Sequence, residues 1–200
     1  CNSLLVAEVS LALVLLVGAG LMLRTLQQLT RVDLGFDATN LLTVRMQLPN
    51  NVYGSERRMA FFRECRTRLE ALPGVRSASF VMSLPLQGAS WNLPFMVADR
   101  PVPPPSDGLP HAAFIPISAN FFSTMNMPVR AGRAFTEADM SDTPAVTVIN
   151  ESLARRLWPG ENAIGKRLRQ GGADSQTAWH EVIGVVGDVK LNGLDQEAPL

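Results

Sequence analysis

The sequence predicts an α+β protein: a membrane-spanning helix at the N-terminus, then a domain with a mixed sheet and helices packed on it. Two observations predict this. Leu4 to Leu23 (LLVAEVSLALVLLVGAGLML) is apolar apart from one charge, Glu8, and one hydroxyl, Ser10. The rest of the chain alternates short strand-like and helix-like patterns, in the order strand, helix, three strands, helix, strand, helix, two strands.

The first helix carries the stronger signal. Twenty residues of α-helix span about 30 Å, the thickness of a bilayer's hydrocarbon core. A buried core helix would show an apolar stripe, whereas Leu11 to Leu23 is apolar on every face. A cleaved signal peptide would be shorter, with a basic start and a small-residue cleavage site, which Gly18-Ala19-Gly20 does not provide. A lipidated Cys1 would not need a spanning helix directly behind it. Glu8 would cost about 3 kcal/mol at the bilayer centre, but it lies barely one turn into the run and reads as a residue snorkelling to the interface. Gly18 and Gly20 do not form a G-x-x-x-G pair.

About 170 of the 200 residues remain, enough for one sizeable domain or two small lobes. Eighteen basic residues balance eighteen acidic ones, which speaks against nucleic acid or another polyanion as partner. Cys1 and Cys65 lie on opposite sides of the apolar run, so no disulfide joins them, and Cys65 reads as a buried thiol on a helix face. The chain starts without Met and stops at Ala198-Pro199-Leu200 in mid-pattern, as expected of a piece of a longer protein, truncated at its C-terminus.

Beyond Leu23, Arg24, Gln27, Gln28 and Arg31 interrupt a continuing Leu stripe, as in a stalk, until Gly35 stops it. Asn40 to Leu48 alternates as a strand. Ser55 caps a helix with Met59, Phe62, Cys65, Leu69 and Leu72 on its apolar face, ended by Pro73-Gly74. Val75 to Leu84 is the next strand, completing a unit of βαβ size. Trp91 to Val97 reads as an edge strand because of Pro94. Pro101 to Pro105 reads as an extended loop. His111 to Ile117 is a strand, and Ser118 caps a short helix with Phe121, Phe122 and Met125. Pro128 to Arg133 is a turn and an extended piece, and Thr136 to Asp139 starts a helical turn with a capping-box pattern. Ala145 to Ile149 is a buried strand, and Asn150 caps the helix Glu151 to Trp158. Lys166 to Arg169 and Trp179 to Lys190 are strands, the second bulged around Gly184 and Gly187.

Chemistry is sparsely written. His111 and His180 have no Cys, Asp or Glu at metal-ligand spacing. No nucleophile elbow, Cys/His pair or Walker loop is present. Gly184-Val185-Val186-Gly187-Asp188 looks like a phosphate loop but lacks the helix that such a loop needs behind it. Asn150-Glu151-Ser152 matches a glycosylation sequon and reads better as a helix cap. Glu137, Asp139 and Asp142 lack the ligand order of a calcium loop. The expectation is a non-enzyme, with no catalytic residue, no cofactor and no metal.

Four blocks in order carry a resemblance: VAEVSLALVLLVGAGLMLRTLQQLTRVDLGFDATNLLTVRMQLP, ISANFFSTMNMPVRAGRAFTEAD, VTVINESLARRLWPGENAIGKRL and VIGVVGDVKLNGL. Together they resemble the MacB-like periplasmic core domain of ABC-transporter permeases, most closely the duplicated orphan permeases of acidobacteria, in which two permease halves share a chain. The resemblance implies that residues 1–30 are the transmembrane helix and stalk and that residues 31–200 are the core domain. It also implies a βαβ porter-like lobe and a strand-rich second lobe at about 86–135. It places the helix in the bacterial inner membrane and the residues after about Arg24 in the periplasm. The implied partners are the bilayer, a cytoplasmic ATPase subunit that hydrolyses ATP, and a second permease half or a homodimeric copy. The implied work is mechanical: ATP hydrolysis elsewhere moves this domain, which expels or extracts a periplasmic substrate.

Arg24 and Arg31 follow the helix with no basic residue before it, which taken alone favours a cytoplasmic domain; large domains, however, translocate largely regardless of charge. A reading of another class, an extracytoplasmic ligand-binding domain of a membrane-anchored sensor, has the same outline of one helix and one α+β domain.

Overall fold

Apolar side chains on every face leave the first helix nothing within the chain to pack against. In the computed structural model, α1 (Asn2–Leu29) is continuous, and Leu5, Leu16 and Met22 are among its many exposed apolar residues. The segment Leu5–Leu29 is long and apolar enough to cross a membrane, and none of it is buried inside the chain. The structure describes residues 2–29, 33–49, 53–87, 91–101, 103–104, 108–140, 144–191 and 193. Residues through Leu34 form one compact unit and those from Gly35 onward a second.

The second unit begins with an irregular half. Asn40 to Leu48, expected as a strand, forms neither a helix nor a ladder, with Leu42 and Val44 exposed. Alternation alone gives a strand only where a neighbour accepts its hydrogen bonds. The helix α2 (Ser55–Glu70) forms as expected, with Gly54 rather than Ser55 at its cap position. Its inner face is Phe61, Phe62, Cys65 and Arg66, all half-buried, while Met59 and Leu69 are exposed. Cys65 is therefore only partly covered, not the buried thiol expected. Val75 to Leu84, also expected as a strand, contributes a single bridge, Val81 to Ile117. Phe80 N–H donates to the Ser118 hydroxyl and Ser118 N–H to the Phe80 carbonyl, both at 2.9 Å. The hydroxyl expected to cap the next helix is spent on that contact. The Phe62 and Phe80 rings, 4.8 Å apart, close α2 onto this segment.

The regular half is a six-stranded mixed sheet among the described residues. Its strands are β1 (Trp91–Val97), β2 (His111–Phe114), β3 (Val129–Gly132), β4 (Val146–Asn150), β5 (Arg167–Gln170) and β6 (His180–Val186). The order is β2-β1-β5-β6-β3, with β4 also paired to β6 in parallel; every other pair is antiparallel. Two short helices, α3 (Phe121–Thr124) and α4 (Glu151–Leu157), and a 3-10 turn, Glu137–Met140, complete it. The helix α4 is capped as expected, by the Asn150 side chain on Leu153 N–H.

β1 is not the edge strand that Pro94 suggested. Residues 91–94 pair with β2 and residues 95–97 with β5. The Pro94 carbonyl accepts Gly171 N–H at 2.8 Å, just past the end of β5, so the missing proline donor falls where the ladder has already stopped. The expected bulge in β6 is present. Thr147 pairs with Val182 and Val148 with Gly184, so Ile183 is the extra residue. Gly184 there permits a close crossing, because a β-carbon would overlap the Arg133 carbonyl.

Two apolar clusters hold the sheet. One joins Phe95, Ile149, Leu153, Trp158, Leu168 and Val182; the other joins Phe121, Phe122, Met125 and Val186. Phe95 and Val182 are almost entirely removed from solvent. Each such side chain contributes about 1.5–3 kcal/mol of burial.

Candidate functional site: the seat of the connector

Whatever α1 does reaches the sheet through the residues that follow it, so their hold on the domain is the feature of interest. Gly35 adopts φ +79°, in the left-handed region, and a β-carbon on it would overlap the Asp188 carbonyl. Glycine is required twice here, by conformation and by space. Next, Phe36 and Leu41 pack into the cluster of Phe121, Phe122, Met125 and Val186. Asp37 N–H donates to the Met125 carbonyl at 3.1 Å. The Asp37 carboxylate accepts Thr39 N–H at 2.9 Å, closing a local turn. That bond, followed by the Thr39 hydroxyl, holds the Asp37 pKa below the usual carboxylate range. Asn40 at φ +59° then turns the chain away.

Asp188 works from both ends. Its backbone crowds Gly35, and its side chain engages the first turn of α4. One carboxylate oxygen accepts Ser152 N–H at 2.9 Å, and the other accepts the Ser152 hydroxyl at 2.7 Å and the Arg155 guanidinium at 2.9 Å. A carboxylate on the free N–H groups of a helix start is favoured by hydrogen bonding and by the helix dipole. The connector, α4 and the exit of β6 thus meet at one residue.

A second clasp flanks the seat. Arg133 donates two parallel bonds to Asp139, at 2.7 and 2.8 Å. Thr136 adds its N–H and hydroxyl to the same carboxylate, at 2.7 and 2.8 Å. The Arg133 bond, then the Thr136 N–H, holds Asp139 far below the usual carboxylate pKa. Arg66 of α2 pairs with Glu137.

The candidates weighed in the sequence end up apart. His111 starts β2 with its Nδ1 2.9 Å from the Leu109 carbonyl, while His180 starts β6, with β1 and β5 between them. Glu137 and Asp139 are each matched to an arginine, and Asp142 lies outside the described residues. Past Gly187 the chain continues as coil through Leu191. Gly165, at φ +85°, makes the turn into β5, and Lys166 pairs with Glu161. Among the described residues no group of three or more His, Cys, Asp or Glu could hold a metal. Sequence reasoning missed Asp188. Its signal was the Gly187-Asp188 pair, an acid directly after a glycine-containing strand, which drew attention only as a poor phosphate loop.

Comparison with known proteins bears on what such a seat serves. The family model of the MacB-like periplasmic core domain matches residues 4–198. No curated protein matches the chain. Among solved structures, the periplasmic region of MacB from Actinobacillus actinomycetemcomitans is 22% identical with a TM-score of 0.47, over 65% of this chain and 52% of that one. The extracellular domain of the noncanonic ABC-type transporter YknZ from Gram-positive bacteria is 21% identical with a TM-score of 0.40, over 60% and 54%. The chain thus spans about half the length of these relatives.

Proposed function

Because the chain belongs to the family of MacB-like periplasmic core domains of ABC-type transporter permeases, we propose that it transmits movement of its N-terminal helix to a periplasmic domain. In this reading the apolar run Leu4 to Leu23 spans the inner membrane, residues 1–30 are helix and stalk, and residues 31–200 are the working domain. ATP is hydrolysed by a separate cytoplasmic subunit, and a second permease half or a second copy completes the pump. The result is mechanical expulsion or extraction of a periplasmic substrate. The stretch at about 86–135 would be the strand-rich second lobe. The half around α2 would belong to the porter-like lobe.

One observation carries this reading: the seat of the connector. A segment that only tethered a domain would need no fixed contacts. This one is held by Gly35 against Asp188, by Phe36 and Leu41 in a core cluster, and by Asp37 on Met125. A pull or twist arriving at Gly35 therefore reaches the sheet with little slack.

The test is a flexible Gly/Ser insert between Leu34 and Gly35 in the parent permease, reconstituted with its ATPase. The insert leaves every contact of the seat intact and adds slack upstream of it. ATP hydrolysis is expected to persist while substrate handling is lost. Undiminished substrate handling with a long insert would sink the mechanical reading.

A further inference from the structure

No described residue of α2 belongs to either apolar cluster of the domain. Of its aromatic rings, Phe61 meets Tyr53 and Phe62, at the helix's own start, and Phe62 reaches Phe80. The segment that carries Phe80 is tied to the sheet side. Ser77 and Thr124 share a bond of 2.7 Å, and the Ala78 carbonyl accepts the Asn120 amide at 2.7 Å. The turn at 71–75 joins that segment to α2, and open space surrounds Gly74 within it. What holds α2 down is largely polar. Arg66, on its inner face, pairs with Glu137, which is 60% exposed. One Glu70 oxygen accepts the Asn120 amide and Ala78 N–H, each at a long 3.3 Å. Glu137 stands on a 3-10 turn that has no buried residue. That turn is anchored by the Asp139 carboxylate on Arg133 and Thr136, and Arg133 N–H donates to the Ile183 carbonyl of β6 at 2.9 Å. The contacts thus run in series from α2 through Glu137, Asp139 and Arg133 to β6.

We propose that α2 is a hinged flap, latched to the domain by Arg66 and Glu137, and that Asp139 is the positioning residue that holds Glu137 where the latch closes. An ion pair with one partner in water is weak. A segment with few buried apolar contacts opens at a free energy well below that of global unfolding. In the open state α2 swings about residues 71–75 and uncovers Cys65 and the rings of Phe61, Phe62 and Phe80. The sheet and both clusters stay folded, because α2 contributes to neither cluster. The flap stands independently of the transport reading, since it requires neither the first helix nor an ATPase.

The experiment uses the full chain in lipid nanodiscs with Cys1→Ser, which leaves Cys65 as the remaining thiol. Its reaction with dithiobis-nitrobenzoate is timed over a range of low urea concentrations. Labelling slower than that of a free thiol is expected, with a urea dependence much smaller than that of global unfolding, since opening exposes little surface. Amides of β6 should keep their hydrogen-exchange protection meanwhile. Glu137→Gln is expected to raise the labelling rate about threefold. Asp139→Asn, whose bonds go to Arg133 and Thr136 rather than to α2, should do the same, and both changes together no more than either alone. Glu64→Gln, which breaks the Arg68 pair on the outer face of α2, should leave the rate unchanged. Should Asp139→Asn cost β6 its protection, Thr136→Val, which removes one hydroxyl bond to Asp139, takes its place. Labelling with the full urea dependence of global unfolding, or at a rate indifferent to Glu137→Gln, would overturn the flap and its latch. Additive effects of Glu137→Gln and Asp139→Asn would overturn the role of Asp139.

Discussion

The Asp188 carbonyl occupies the space that a β-carbon on Gly35 would need. Two segments 153 positions apart in sequence are thereby brought to backbone contact, and the first tolerates no side chain. Gly35→Ala is therefore expected to lift the connector off its seat. A left-handed alanine costs about 1–2 kcal/mol, and backbone displacement adds to it. The melting temperature should fall by roughly 4–8 °C, and the Asp37 amide should lose protection in hydrogen exchange while amides of β6 keep theirs.

Asp188 also supports α4, so its loss is felt at a distance from Gly35. Asp188→Ala leaves Ser152 N–H and the Ser152 hydroxyl without their acceptor. The expected cost is about 1–3 kcal/mol in urea unfolding. Ser152→Ala in the same background should add less than it does alone, since the pair acts as a unit. Full additivity of the two changes would show that the bonds carry no energy.

The clasp at Asp139 makes a pH prediction. Its pKa is lowered on folding by the Arg133 bonds and the Thr136 N–H. A lowered carboxylate stabilises the fold above its unfolded pKa of about 3.9. That contribution declines as pH falls below this value and is lost only once the folded pKa is passed. Acid titration of unfolding should show a decline beginning near pH 4, made shallower by Asp139→Asn at a cost in stability at pH 7. An unchanged acid limb in that variant would contradict the assignment.

Leu42 and Val44 are exposed in this chain, 90% and 72% respectively. Leu42→Ser with Val44→Thr should therefore leave thermal unfolding within about 0.5 kcal/mol of the parent. The same pair should reduce cross-linking between chains, since exposed apolar side chains invite association. A large loss of stability would mean that these residues are buried in solution.

What could be read ahead of the structure was local. The Asn150 cap and the Thr136–Asp139 turn depend on neighbours in sequence, and each formed as expected. What failed depended on distant partners. Asn40 to Leu48 has a strand's alternation but no ladder, and Pro94 looked like an edge marker until the end of β5 was seen to lie beside it. The seat itself was nearly invisible. Gly35 read as a helix stop, whereas its larger constraint comes from Asp188, which nothing near Gly35 in sequence announces. Family membership was legible because four separated blocks carried it together.

β6 is the sheet's hub: it pairs with β3, β4 and β5, yet it comes last of the described strands in chain order. During synthesis the ribosome delivers Trp91 about ninety residues before His180, a wait of roughly 5–20 s at ordinary translation rates. Until β6 emerges, β3 and β4 have no partner in the sheet, while β1 can pair only with β2 and β5. No part of β3 or β4 can therefore be locked into the sheet before His180–Val186 has been made.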